Sequence, residues 1–119
     1  MRSNALWNCK NPNQGPMKRV LCVCSAGLLR SPTIAWIMSN NGYNTRAAGV
    51  HDYALVKVDD ILLKWADLVV CADQHHADIL RVNHPDVECI VLRIPDQFQF
   101  RDPALCRIIE ERLKELKLI

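Results

Sequence analysis

Cys24 and Arg30 flank five residues, and Ser31 follows, in the segment Cys24-Ser25-Ala26-Gly27-Leu28-Leu29-Arg30-Ser31. These residue types at this spacing suit attack on a phosphate monoester. A thiolate is a strong nucleophile, and a helix N-terminus with a nearby cation favours thiolate over thiol. Arg30 offers a planar fork able to bond two oxygens of one phosphate. Successive backbone amides from Ser25 to Ser31 can curl round an anion as a nest. The Ser31 hydroxyl is placed to donate to the Cys24 sulfur. Cys24 and Arg30 are therefore expected in catalysis, and residues 25–31 in phosphate binding.

Such a loop works only between a strand and a helix. Val20–Val23 is a short apolar run that predicts a buried strand, and Ser31-Pro32 predicts a helix start with Ser31 as N-cap and Pro32 first in the helix. That helix should stop at Asn40-Asn41-Gly42, before a second strand over Tyr43–Ala48. Val58, Ile61, Leu62 and Trp65 fall on one helical face, and Leu68–Cys71 predicts a third strand. Asp73 should cap a helix over Gln74–Val82, and Ile90–Leu92 is a fourth strand. Asp102-Pro103 opens a last helix with Leu105, Ile108, Ile109, Leu113 and Leu116 inward. Strands alternating with helices predict an α/β protein, a single doubly wound four-stranded parallel sheet with helices on both faces. Ligands of such sheets lie at the carboxyl ends of the strands, where residues 24–31 fall.

The bulk properties narrow the classes. At 119 residues there is room for one domain, and half the residues are hydrophobic. Residues 1–16, rich in Asn and Pro, read as a flexible extension to a domain over 17–119. That domain holds 13 basic and 13 acidic groups, so a nucleic-acid partner is not expected. No apolar run approaches the ~18 residues of a membrane span, and the N-terminus lacks a signal-peptide layout. The expectation is a cytoplasmic protein with reduced thiols. Cys71, Cys89 and Cys106 then read as buried small hydrophobes, Cys22 as packing beneath the loop and Cys9 as a tail thiol.

The run Val20-Leu21-Cys22-Val23-Cys24-Ser25-Ala26-Gly27-Leu28-Leu29-Arg30-Ser31-Pro32-Thr33-Ile34-Ala35 resembles the signature of low-molecular-weight protein tyrosine phosphatases, most closely a compact bacterial and phage branch. The resemblance continues through Arg46–Gly49, Trp65–Val70, Ile94–Phe98 and Asp102-Pro103, so it spans roughly residues 18–118. It implies a cysteinyl-phosphate intermediate on Cys24 and, as substrate, a phosphotyrosine-containing protein or a small aryl phosphate, with no cofactor. The chain departs from the family in carrying Ala26-Gly27 where Gly-Asn is usual. Gly27 can take the left-handed backbone conformation expected there. Leu29 stands where many relatives carry a second Cys that traps the oxidised nucleophile.

A leaving oxygen needs a proton, and the resemblance points to Asp96, in Ile94-Pro95-Asp96-Gln97-Phe98, as the acid. Asp102, before Pro103, is accounted for as a helix cap. Leu28, Leu29, Phe98 and Tyr53 are expected to wall the pocket, which suits an aryl group. Asp73 matches a family position that supports the phosphate loop, although a helix N-cap explains it as well. His75 and His76 are adjacent on a helix and should point apart, so no metal is expected. His51 and His84 read as loop residues without partners. Two other functions fit part of the pattern. Arsenate reduction needs resolving thiols near Cys24, and Cys71 and Cys89 look buried. A phosphopeptide-binding module without turnover would not need Cys24, Arg30, Ser31 and Asp96 together.

Overall fold

The computed structural model describes residues 14–119, so residues 1–13 of the expected extension lie outside the described residues. Four strands, β1 (Arg19–Cys24), β2 (Asn44–Gly49), β3 (Leu68–Cys71) and β4 (Cys89–Val91), form one parallel sheet in the order β2-β1-β3-β4. Four helices follow them in turn: α1 (Arg30–Asn40), α2 (Asp60–Trp65), α3 (Gln74–Asn83) and α4 (Pro103–Glu115). The sheet is doubly wound as the alternating pattern predicts.

Burial follows from strand periodicity, because alternate side chains face opposite layers. Val20, Cys22 and Cys24 face one layer, where Ile34 and Met38 of α1 meet Leu105, Ile109 and Leu113 of α4. Leu21, Val23, Val69 and Cys71 face the other, with Leu62 of α2 and Ala77 and Leu80 of α3. Both faces being covered explains why β1 and β3 are apolar runs. The chain reverses direction across the sheet between β1 and β3, so their carboxyl ends form the crevice that ligands of such sheets use.

The element ends follow local chemistry. After α1, the Gly42 and Tyr43 N–H groups return to the Ser39 and Met38 carbonyls. α4 closes the same way, with Lys117 N–H on the Lys114 carbonyl and Leu118 N–H on that of Leu113. That turn leaves Leu116 47% exposed instead of inward as expected, and packs Leu118 and Ile119 on the core in its place. Val58 precedes α2 instead of belonging to it, because its N–H extends the β2 end by bonding the Gly49 carbonyl. Residues 14–17 lie along the start of β2, with Gly15 N–H on the Tyr43 carbonyl and Met17 N–H on that of Gly42.

One contact ties this frame to the loop after β1. A Cβ on Gly49 would stand 2.5 Å from the Ser25 carbonyl oxygen and 2.7 Å from the Ala26 carbonyl carbon. Gly49→Ala should therefore push the loop out of place. Overpacking against backbone costs about 1–3 kcal/mol, so the thermal midpoint should fall several degrees and inorganic phosphate binding should be lost. A variant that melts and binds phosphate like wild type would show that the close approach is not required.

Candidate active site

The residues between β1 and α1 are held by their carbonyls. Cys24, Ser25 and Ala26 carbonyls accept from the N–H groups of Val50, His51 and Leu55, at 3.0, 3.2 and 3.3 Å. In a trans peptide the N–H points opposite to the C=O. The amides of Ser25, Ala26 and Gly27 consequently face away from this strap. Gly27 shows the result: its φ is 74°, and its N–H donates to Cys24 Sγ at 3.2 Å.

Cys24 ends β1 and is almost fully buried. Its sulfur lies 3.1 Å from Ser31 Oγ, and the Ser31 hydroxyl donates to the Ala48 carbonyl at 3.3 Å. Ser31 was expected as the cap of α1, but the helix begins earlier, with Leu29 in the N-cap position and no side-chain cap. The Ser31 oxygen is engaged by the sulfur and by β2, so it does not turn to its own helix. Thr33 Oγ1 donates to the Leu29 carbonyl at 2.7 Å.

Arg30 is buried, and its guanidinium meets the segment after β4. Nη1 donates to the Ile94 carbonyl at 2.9 Å, and Nη2 lies 3.5 Å from Asp96 Oδ2. Asp96 itself is exposed on the segment after β4. That segment is fixed at both ends. The Ile94 N–H bonds the Ala72 carbonyl, and the Arg101 N–H bonds Thr33 Oγ1. The Arg101 guanidinium also sits 4.2 Å from the centre of the Trp36 ring. Asp102 Oδ1 accepts from Ala104 N–H at 2.9 Å, the cap role expected of it.

Cys24, Ser25, Ala26, Leu28, Leu29, Arg30, Tyr53 and Asp96 line one cavity of about 280 Å³. Phe98, expected in its wall, is absent from the lining. Its ring packs on the α1/α4 core layer, because the segment is turned to present Asp96. Tyr53 stands at the mouth, stacked on His51 with ring centres 5.0 Å apart. His84 is also partnered, with Nδ1 3.5 Å from Asp60 Oδ1.

The histidines of α3 differ most from expectation. Their rings converge, with centres 3.9 Å apart, instead of diverging. Both sit in the first turn and reach back over the loop, with Nε2 atoms 3.4 Å (His75) and 3.0 Å (His76) from Ser25 Oγ. The sequence signal was the capping pair: Asp73 accepts from Gln74 N–H, while His76 Nδ1 accepts from Asp73 N–H at 3.0 Å. No group of three or more His, Cys, Asp or Glu side chains able to hold a metal occurs among the described residues.

The cysteines divide across the sheet. Cys22 lies in the layer of Cys24, whereas Cys71 and Cys89 lie in the other. The Cys71 thiol is pushed well up by its hydrogen bond with Cys89 and by burial. Cys89 and Cys106 are half-buried instead of fully buried. Among the described residues no helix is long and apolar enough to cross a membrane.

No family model and no curated protein matches the chain in sequence. Solved structures match it in fold. The low-molecular-weight protein tyrosine phosphatase from T. tengcongensis superposes with a TM-score of 0.67 at 18% identity, over 87% of this chain and 100% of its own. The fold is that of these phosphatases. The YwlE arginine phosphatase from Geobacillus stearothermophilus gives 0.65 at 19% identity, over 86% and 94%. The tyrosine phosphatase Wzb from Escherichia coli K30, in complex with phosphate, gives 0.66 at 17%, over 84% and 96%.

Burial, with His75 and Arg30 nearby, lowers the His76 pKa from 6.5 to about 3. The unfolded chain therefore takes up a proton on acidification that the folded chain refuses, and stability drops as pH falls from about 6.5 towards 3. Thermal midpoints measured at intervals from pH 7 to 4 should decline. The decline should be shallower in His76→Gln. Equal slopes would mean that His76 is not neutral in the fold.

Proposed function

We propose that this protein hydrolyses phosphomonoesters through a cysteinyl-phosphate intermediate on Cys24, with phosphotyrosine in proteins or a small aryl phosphate as substrate. The observation that carries this reading is the meeting, in one cavity, of a buried thiol, inward loop amides, a buried guanidinium and a carboxyl group. The phosphatase neighbours of the same fold support it.

The chemistry follows the placement. A phosphate entering the loop accepts from the amides of residues 25–31 and takes the Arg30 fork from Asp96. The Cys24 thiolate attacks phosphorus, the ester P–O bond breaks, and the leaving oxygen takes a proton from Asp96. As the sulfur becomes anionic again in the second step, Gly27 N–H stabilises it, and the Ser31 hydroxyl turns from the Ala48 carbonyl to donate to it. In that step Asp96 removes a proton from water, the oxygen attacks phosphorus, and the S–P bond breaks to release phosphate. Asp102 is committed to α4, which leaves Asp96 as the acid.

The lining favours an aryl leaving group. Leu28, Leu29 and Tyr53 present apolar and π surface, and Asp96 is the single carboxylate among the lining residues. A guanidinium leaving group would want a carboxylate of its own beside the one that donates the proton. Arsenate reduction is disfavoured because the sheet separates Cys24 from Cys71 and Cys89.

Cys24→Ser should abolish hydrolysis of an aryl phosphate and leave inorganic phosphate binding largely intact. Equal loss of both would make Cys24 structural. Arg30→Lys should be severe in both, since a point charge cannot replace the fork. A preference for phosphoarginine over aryl phosphate would overturn the substrate assignment. Asp96→Asn should slow phenyl phosphate by roughly 10²–10⁴-fold, yet slow activated aryl phosphates far less, because an activated phenoxide departs unprotonated. The alkaline limb of the phenyl phosphate pH profile should vanish with it. Asp102→Asn should leave turnover nearly unchanged, Asn being a competent cap. The opposite pattern for the two variants would reverse the acid assignment.

A further inference from the structure

His76 is wholly buried, and the reaction above gives it no part. Its Nδ1 accepts the Asp73 N–H, the reciprocal half of the α3 capping box. A neutral imidazole with one nitrogen accepting carries its proton on the other. Nε2–H therefore donates to Ser25 Oγ at 3.0 Å. The direction of this bond decides its use. His76 cannot act as a base towards Ser25, so the pair is not a second nucleophile. Instead the serine oxygen is engaged as an acceptor, and its own proton remains free to be donated. Ser25 lines the cavity beside Cys24. Its other imidazole neighbour, His75 Nε2, is more distant at 3.4 Å and exposed. An oxyanion is the stronger acceptor for that proton.

We propose that His76 is a positioning residue that makes Ser25 a side-chain donor to the bound oxyanion, by fixing Ser25 Oγ over the cavity and turning its hydroxyl proton inward. The inference rests on residues 24–31 being the phosphate site. Of the groups that face His76, the Asp73 N–H fixes the tautomer at 3.0 Å, and the Arg30 guanidinium, itself only a donor, makes no hydrogen bond with an Nε2 that carries the proton. Arg30 Nη2 lies 3.4 Å from Nε2, the His75 ring is adjacent, and Asp73 holds the far nitrogen through its backbone. Burial and the neighbouring positive groups keep the ring neutral down to about pH 3, so the donor direction persists at any ordinary working pH.

Two substitutions separate this role from a structural one. The Asn amide reproduces the Nδ1 side of His and can keep the α3 cap, but does not reach Ser25. The Gln amide reproduces the Nε2 side and can still donate to Ser25, but loses the cap. Calorimetric titration with inorganic phosphate, and with orthovanadate, should show Ser25→Ala and His76→Asn each about tenfold weaker than wild type. The double variant should be no weaker than Ser25→Ala alone. His76→Gln should melt lower yet bind within about twofold of wild type. Wild-type affinity in Ser25→Ala or in His76→Asn would overturn the proposal, as would a fully additive double variant. Nitrogen-15 chemical shifts of wild-type His76 give a reading that needs no variant. They should report the Nε2–H tautomer, and an Nδ1–H tautomer would overturn it. Because binding is read apart from turnover, a protein that binds phosphate and hydrolyses no aryl phosphate would sink only the enzymatic reading. A wild-type chain that binds neither oxyanion would sink both.

Discussion

The carbonyls of Cys24, Ser25 and Ala26 are all claimed by one short strap, the residues that follow β2. Peptide planarity then turns the Ser25, Ala26 and Gly27 amides away from that strap, and the Gly27 N–H reaches the Cys24 sulfur. A nest of amides is ordinarily costly, since like dipole ends converge and no internal partner satisfies them. Here the first three peptides of the loop are held by their other ends, so that part of the nest does not have to assemble when an anion arrives. The same constraint reaches into the frame. β2 must end in a residue without a side chain, because Gly49 lies against the loop backbone. β2 must also sit beside β1 in parallel register, with Cys24 opposite Gly49.

Arg30 adds a second demand. A guanidinium buried to this degree needs compensation or the fold loses more than the charge contributes. The compensation comes from far along the chain, as the Ile94 carbonyl and the Asp96 carboxylate. The segment carrying Asp96 therefore returns to the loop partly because a buried cation requires it. Arg101, stacked on Trp36 and bonded to Thr33, fastens the other end of that segment to α1. The loop and the Asp96 carboxylate are thus coupled through one side chain. On the proposed reading, a phosphate that takes Arg30 also releases the carboxylate it was paired with.

Much of this was legible in the residues. Apolar runs separated by capped helices announce a parallel sheet, and Cys24 through Ser31 announce the loop, since strand, loop and helix start are all local signals. What the sequence hid is non-local. Ser31 looks like an N-cap until a sulfur seven residues earlier claims its oxygen. Phe98 looks like a pocket wall until the Asp96 segment turns its ring into the core. His75 and His76 look divergent on an ideal helix, but the first turn of α3 leans over the loop and brings both rings to Ser25. Leu116 fits the helical period of α4, yet the closing turn ends that period just before it.

The caps set one helix start apart from the others that gather near the same edge of the sheet. Asp59, Asp73 and Asp102 cap α2, α3 and α4 with their own carboxylates, and each accepts a backbone N–H from its helix. Such an end has part of its donor capacity spent and a negative charge already in place, so it repels a phosphate. α1 has Leu29 in that position, which supplies no oxygen. Its first-turn donors stay unclaimed by any side-chain cap, and a buried cation stands at its first position. An aspartate or serine at 29 would cap α1 better by every local rule, and would occupy the space an anion needs. The helix is left uncapped where an external anion can serve as the cap.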